Sequence, residues 1–246
     1  GWTYWFCWIS IAMADLTAVG LYTQYWFPAV PQWMPGLIAL VLLLFMNLAT
    51  VKLFGEMEFW SALIKVIAIL ALIIIGIFMI IKGFSTPSGP SSFTNLWSHG
   101  GMFPHGINGF ILSFQMVVFA FVGIELVGLT AGETEDPEKV IPKAINNIPI
   151  RIIIFYIGAL IVIMSIYPWN AINPTESPFV QVFVAIGIAA AGGIVNFVVL
   201  TSAASACNSA IFSTSRMVYS LAKEKNAPVP FTKLTSRKVP SNALFF

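Results

Sequence analysis

Three ionisable residues, Asp15, Lys65 and Glu125, lie inside long apolar stretches of the sequence. A charged side chain near the centre of a membrane helix costs at least ~2.5–3.5 kcal/mol, so such residues are rare and usually functional. An acid or an amine in this setting can carry a proton or bind a charged ligand. These three side chains are therefore the first candidates for handling an ion or a ligand.

Each of these residues also has a purely structural interpretation. Lys65 lies about six residues from the start of its apolar stretch, or ~10 Å along a helix, and its side chain could snorkel to the interface. Asp15 could form a hydrogen bond to a neighbouring helix, and Glu125 could cap broken backbone. The depths of Asp15 and Lys65 along their helices do not predict a direct ion pair.

A glycine interrupts the same apolar stretch that contains Glu125. Gly123 stands among the aromatic and branched residues of the segment 116–128. Unwound backbone at membrane depth is tolerated where it lines a cavity. The free N–H and C=O groups of such a break can hold the carboxylate and the ammonium of a zwitterion. Close helix packing at Gly123 is the alternative interpretation.

The last apolar stretch carries a polar stripe within about 140° of a helix surface. A stripe of small hydroxyl residues is typical of a helix surface that packs against another helix. Alternatively, the stripe could face a substrate or an ion. The stripe consists of Thr201, Ser205, Asn208, Ser209, Ser213 and Arg216.

Other chemistries lack the residues that they need. Cys7 and Cys207 lie in apolar segments without a CxxC pair, and His99 and His105 lack further ligands at metal spacing. The sequence contains no Gly-rich phosphate loop, no Ser/His/Asp order and no paired carboxylates at catalytic spacing. The sequence therefore predicts neither an enzyme, nor a metal site, nor a cofactor.

Composition defines the environment of these residues. The chain has 246 residues, of which 58% are hydrophobic and 9% are charged, with a net charge of +2. A soluble domain carries roughly 25% charged residues, so a soluble enzyme, a nucleic-acid binder and a disordered chain are excluded. Long apolar runs likewise exclude an outer-membrane barrel. The prediction is an all-α, multi-pass integral membrane protein in contact with lipid.

Six stretches are long enough to span a bilayer, which takes ~20 apolar residues. Loops after the even-numbered spans carry nine Lys and Arg residues, against Lys82 alone after the odd-numbered spans, so the even-numbered loops are predicted to face the cytoplasm. Breaks are expected at 28–31, 55–58, 83–106, 129–149 and 173–178, with a short interfacial helix at 179–187. The predicted spans are 3–26, 36–54, 59–82, 107–128, 150–168 and 189–221.

Several motifs, in order along the chain, resemble bacterial amino-acid permeases of the amino acid–polyamine–organocation superfamily. They are the segments 52–60 with Ile64-Lys65, 119–128 with 133–139, 141–146 and 213–217. Within that family, the segments 148–151 and 201–205 are most similar to the D-serine/D-alanine/glycine permeases. The resemblance covers essentially the whole chain, from the family's third span to the start of its ninth. The sequence therefore looks like a piece of a longer protein.

The resemblance implies a leucine-transporter-like fold with two inverted repeats and a broken helix at the substrate site. Residues 1–82 would end the first repeat, and 83–106 would form an extracellular loop. Residues 107–222 would start the second repeat, broken near 119–125, and 223–246 would form a cytoplasmic loop and the start of a further span. The implied substrate-binding residues are Phe119 in the aromatic-gate position, Ala120, Phe121, Val122 and Gly123, together with Ser205, Asn208 and Ser209.

The resemblance also implies a function. Lys65 occupies the position of a lysine that replaces a sodium ion in proton-coupled members, and Asp15 and Glu125 are implied partners in proton coupling. The expected activity is import of small neutral amino acids of the alanine, glycine and serine type, by proton symport and alternating access across the bacterial inner membrane. An aromatic or branched-chain specificity and a non-transporting sensor remain alternatives. The sequence leaves the oligomeric state open.

Overall fold

Helices dominate the computed structural model, which describes residues 1–49, 51–125, 136–173, 177–185 and 189–246. Apolar runs fold as helices in a bilayer because a helix satisfies every backbone N–H and C=O within its own segment. The α-helices are α1 Trp2–Thr23, α2 Trp33–Ala49, α3 Val51–Lys82, α4 Gly106–Phe121, α5 Pro137–Arg151, α6 Ala159–Ile166, α7 Pro178–Ala185, α8 Ala189–Lys223 and α9 Ser241–Leu244.

Within the part of the chain that the structure describes, four helical segments are long and apolar enough to cross a membrane: Trp2–Thr23, Gly55–Lys82, Pro137–Ile166 and Ala191–Lys223. Two shorter apolar helices, Trp33–Leu48 and Gly106–Phe121, account for the second and fourth predicted spans. Large apolar side chains such as Phe6, Ile74 and Met116 are exposed on these helices, as expected for surfaces that face lipid.

The predicted break at 55–58 is wrong, because α3 continues through it from Val51 to Lys82. Glutamate and methionine are good helix formers, and the position of a Cβ at Gly55 has nothing within 4 Å, so the glycine lies on an open helix face. Helix α2 ends at Ala49 and α3 begins at Val51.

The predicted break at 129–149 is also too long. Helix α5 begins at Pro137, where proline is favoured because the first helical turn needs no backbone donor. A π-helical segment, Ile152–Gly158, joins it to α6. Helix α5 was not predicted from the sequence because the predictions relied on apolar runs, and α5 carries charged residues. The end of the predicted fourth span, 126–128, and the motif residues Glu133 and Glu135 lie outside the described residues.

Short elements occupy the predicted extracellular segment and the remaining loops. Strand β1, Ser85–Thr86, pairs antiparallel with β2, Gly89–Pro90, with Ser85 opposite Pro90. Helix α7, Pro178–Ala185, covers most of the short helix predicted at 179–187, and residues 186–187 lie outside the described residues. Single 3-10 turns are formed by Phe93–Leu96, Trp169–Ala171 and Val229–Thr232.

The described residues form two compact units. The first contains Gly1–Val66 and Gly193–Phe246, and its core includes the buried residues Cys207, Ala210 and Val218 of α8. Helices α1 and α2 approach closely at Gly36, where a Cβ would lie 3.0 Å from the carbonyl oxygen of Leu16. Small residues allow such close helix contacts in membrane proteins.

The second unit contains Ile67–Gly192. Its core includes Leu72, Ile166 and Val182, which are fully buried. The carbonyl oxygen of Ser165 accepts hydrogen bonds from the backbone N–H of Ser92 (2.9 Å) and from the Asn95 amide (2.9 Å), which holds the segment after α3 against the end of α6.

Candidate functional site

A chain of hydrogen bonds in the first unit joins two charged residues through one hydroxyl group. The Lys65 ammonium donates to Ser205 Oγ at 2.9 Å, and the Ser205 hydroxyl donates to Glu58 Oε1 at 2.8 Å. Lys65 and Glu58 belong to α3, and Ser205 belongs to α8. The hydroxyl is used both as an acceptor and as a donor, so the three groups form one directed chain from the cation to the carboxylate.

Helical spacing explains why Lys65 and Glu58 lie on the same face of α3. Seven residues correspond to almost two full turns, which leaves the two side chains within about 20° of each other and ~10 Å apart along the axis. Side chains that far apart need a bridging group, and Ser205 supplies it from the neighbouring helix.

Two buried amides lie close to this chain. Asn47 of α2 donates through Nδ2 to Asn208 Oδ1 at 2.7 Å and to the Leu43 carbonyl oxygen at 2.9 Å. Both asparagines are less than a tenth exposed. A buried amide without a partner would cost about 1–3 kcal/mol, so this pair stabilises the contact between α2 and α8.

A cavity of about 140 Å³ lies beside these groups. It is large enough for water, which needs only about 10–15 Å³ and a few polar partners. Glu58 is one of its lining residues, and the Oε2 atom of this side chain is buried and has no hydrogen-bond partner among the described residues. The lining residues are Leu43, Met57, Glu58, Ser61, Thr201, Ala204, Ser205 and Asn208.

Asp15 of α1 belongs to the same unit and interacts electrostatically with Lys65. Its Oδ2 atom is buried and has no hydrogen-bond partner among the described residues. Two carboxylates therefore attract the Lys65 ammonium electrostatically, that of Glu58 more strongly than that of Asp15. Glu58 is also linked to Lys65 by hydrogen bonds through Ser205.

The second unit contains the end of α4, where a broken helix is predicted; residues 126–135, in which the helix would resume, lie outside the described residues. The helix ends at Phe121, Val122 is extended with φ −62° and ψ 135°, and Gly123 has φ 108°. Residues with a side chain rarely adopt such a φ, so a glycine is required at this point. The end of the helix is held from the π-helical segment, where Tyr156 donates to the Ala120 carbonyl oxygen at 3.0 Å and stacks on Phe121.

Glu125 lies directly at this interruption. Its Oε2 atom accepts a hydrogen bond from the Gly123 backbone N–H at 3.0 Å. The carboxylate thus caps the backbone after α4, which is the structural alternative considered above for this residue.

A family model described as "Amino acid permease" matches residues 1–246, the whole chain. The chain belongs to the amino acid permease family. The predicted all-α membrane fold and the predicted family are thereby confirmed.

Curated proteins similar to this permease chain include three bacterial relatives. It is 83% identical to the uncharacterized transporter YdgF and 78% identical to the amino-acid permease AapA, both of Bacillus subtilis strain 168. It is 58% identical to the D-serine/D-alanine/glycine transporter of Escherichia coli strain K12. Each alignment covers 100% of this chain and 53–54% of the relative. The permease chain therefore spans about half the length of the curated relatives that it matches.

The structure distributes the predicted site residues of this permease between the two units. Lys65, Asp15, Ser205, Asn208 and Ser209 lie in the first unit, where Lys65 and Ser205 are in direct contact. Ser209 is half-buried on α8. Phe119, Ala120, Phe121, Val122, Gly123 and Glu125 lie in the second unit, at and after the end of α4.

Three residues of the permease site were missed by the sequence analysis. Glu58 was assigned to a loop because its segment is charged, although its spacing of seven from Lys65 placed both on one helix face. Asn47 is the one amide in the long apolar run of α2. A polar residue in such a run is unusual, so Asn47 could have been predicted as a site residue. Tyr156 has no distinguishing pattern in the sequence.

Metal binding has no structural support in the part of the permease that the structure describes. Across residues 1–49, 51–125, 136–173, 177–185 and 189–246, no group of three or more His, Cys, Asp or Glu side chains could hold a metal ion.

Proposed function

We propose that the transporter to which this chain belongs imports small neutral amino acids of the alanine, glycine and serine type by proton symport and alternating access. The observation that carries the proposal is the family match over the whole chain, together with 58% identity to a relative named as a D-serine/D-alanine/glycine transporter. The bacterial inner membrane is the proposed location, and the amino acid and lipid are the proposed partners.

The interruption after α4 supports amino-acid recognition. Backbone groups freed by such a break at membrane depth can hold the two charges of a zwitterion. Phe119 is about half exposed next to it, which leaves an aromatic surface for the substrate. We assign Phe119, Ala120, Phe121, Val122 and Gly123 to the proposed substrate wall.

The hydrogen-bonded residues Lys65, Ser205 and Glu58 support coupling to protons. A fixed or switchable ammonium charge on α3, bonded to Ser205 on α8, replaces the metal ion that a sodium-coupled transporter would bind between the same two helices. The proton is then the coupling ion, and the proposed mechanism uses no other cofactor. Ser205, Asn208 and Ser209 are the proposed substrate-binding residues of the first unit, on α8.

Uptake by the full-length protein in proteoliposomes tests the proposal. Labelled glycine or D-alanine should accumulate above the external concentration when the outside is acidic, and a protonophore should abolish that accumulation. Accumulation that is independent of the gradient would refute proton symport. Saturable binding without flux would instead establish a sensor.

Competition against the labelled substrate then tests specificity. Alanine, glycine and serine in both stereoisomers should compete strongly, whereas phenylalanine and leucine should compete weakly. Strong competition by the larger side chains alone would establish an aromatic or branched-chain permease.

A further inference from the structure

We propose that Glu58 receives the coupling proton from Lys65 through the Ser205 hydroxyl, so that the three residues form a proton relay. The inference rests on the proposed proton symport and extends it to a residue outside the expected set. It depends on the directed hydrogen-bond chain, on the Glu58 oxygen that has no partner among the described residues, and on the cavity that Glu58 lines.

The hydrogen bonds already have the direction that proton transfer requires. Lys65 donates to Ser205 at 2.9 Å, and Ser205 donates to Glu58 at 2.8 Å. In the transfer, a Lys65 N–H bond breaks as a new O–H bond forms on Ser205, while the original Ser205 O–H bond breaks and an O–H bond forms on Glu58. Lys65 becomes neutral and Glu58 becomes a neutral acid, and the proton count is unchanged.

The cavity provides the next step of the path. Glu58 Oε2 is buried without a partner among the described residues, and Glu58 lines the cavity of about 140 Å³. The cavity has room for water. Rotation of the Glu58 carboxyl group towards the cavity brings it into contact with that water, which accepts the proton as hydronium. Rotation of the Ser205 hydroxyl then restores its donation to Glu58.

Position along α3 gives the relay a direction across the membrane. Glu58 lies ~10 Å nearer than Lys65 to the start of α3, the end that the charge distribution of the loops predicts to be cytoplasmic. Lys65 Nζ and Glu58 Oε1 both bond to Ser205 Oγ, so the proton itself moves less than the ~10 Å that separates the two residues along the helix. The relay leads towards the cytoplasmic end of α3, the side on which a symporter releases its proton.

The neighbouring ionisable groups do not offer an equivalent path. Asp15 on α1 acts on Lys65 electrostatically, whereas the hydrogen bonds of Lys65 and Ser205 lead to Glu58. On α8, Cys207 is near Asp15, and Tyr22 of α1 also interacts with Asp15. Helix α2 contributes the neutral amide of Asn47.

Gradient-driven accumulation and substrate exchange, measured in the same proteoliposomes of the full-length protein, test the relay. Glu58→Gln keeps the size of the side chain but does not carry the proton. We expect its accumulation to fall to the ratio found without a gradient, while measurable exchange remains. Ser205→Ala should also abolish accumulation because it removes the bridging hydroxyl, but its exchange is not used as a readout, since Ser205 belongs to the proposed substrate-binding residues.

Two further variants separate relay chemistry from packing. Glu58→Asp retains the carboxylate, so it should recover part of the accumulation and restore a pH dependence of uptake that Glu58→Gln lacks. Glu56→Gln is the matched control, since Glu56 is exposed on the same helix two residues away, and it should behave as the wild type.

The outcomes are distinguishable. Concentrative uptake by Glu58→Gln with the wild-type pH profile would overturn the relay alone and leave proton symport standing. Loss of both exchange and accumulation in Glu58→Gln would assign Glu58 a structural role, which also overturns the relay, and so would full accumulation by Ser205→Ala. Gradient-independent uptake by the wild type would overturn the relay together with the proposed symport.

Discussion

Substitution of Gly76, which lies at a close helix contact within the second unit, should lower the unfolding free energy by an amount that can be estimated from the structure. Gly76 of α3 faces α6, where a Cβ would overlap Cγ1 of Val162 and lie 3.1 Å from Cδ1 of Ile166. Non-bonded carbon atoms prefer about 3.5–4.0 Å. Val162 is β-branched and has essentially one rotamer in a helix, so it cannot turn away. We expect Gly76→Ala to force the two helices apart.

The expected cost is about 1–3 kcal/mol of unfolding free energy, the usual range for inserting a methyl group into a packed interior. Unfolding of the full-length protein by SDS in mixed micelles, followed by tryptophan fluorescence, measures this quantity. Gly55→Ala is the matched control, because a Cβ there has nothing within 4 Å. Alanine favours the helix over glycine by up to about 1 kcal/mol, so the control should be neutral or stabilising.

A double-mutant cycle tests the assigned contact itself. Val162→Ala removes the overlapping methyl group, so the double variant with Gly76→Ala should be more stable than the sum of the single effects predicts, with a coupling of roughly 0.5–3 kcal/mol. The reasoning fails if Gly76→Ala is as stable as Gly55→Ala, or if the two single effects simply add.

Three further predictions concern the candidate site. Lys65→Ala should abolish gradient-driven uptake and leave some exchange, because the α3–α8 charge contact is lost; full concentrative uptake by this variant would remove Lys65 from the mechanism. Asn208→Ala should lower the unfolding free energy by about 1–3 kcal/mol, because it leaves the buried Asn47 amide with one partner fewer. An unchanged SDS unfolding midpoint would contradict this expectation. Gly123→Ala should cost about 1–3 kcal/mol because alanine is strained at φ 108°, and wild-type stability and transport would show that this conformation is not required.

The spans could be predicted from the sequence because their signal is local. A run of apolar residues long enough to cross the bilayer folds as a helix whatever its neighbours are. All six predicted spans correspond to apolar helices. The two boundaries that were wrong, at 55–58 and before residue 150, fall where charged residues continue a helix beyond its apolar part. A hydropathy pattern does not detect the charged part of such a helix.

The candidate site was predictable only in part. Lys65 and Asp15 stood out because charge is rare in apolar segments, and Gly123 stood out because glycine permits a positive φ. Whether these groups contact one another could not be read from the sequence. Glu58 in particular was hidden, since an acid near the end of a helix resembles an ordinary solvated residue.

Composition and ordered motifs are properties of the chain alone, so they were enough to predict the membrane environment, the class of fold and the family. Which polar groups are partners depends on how the helices pack in three dimensions. Lys65 and Ser205 are separated by 140 positions along the chain, and Ser205 and Glu58 by 147. A hydrogen bond requires its two atoms to be within about 3 Å of each other, and the packing of α8 against α3 satisfies that condition.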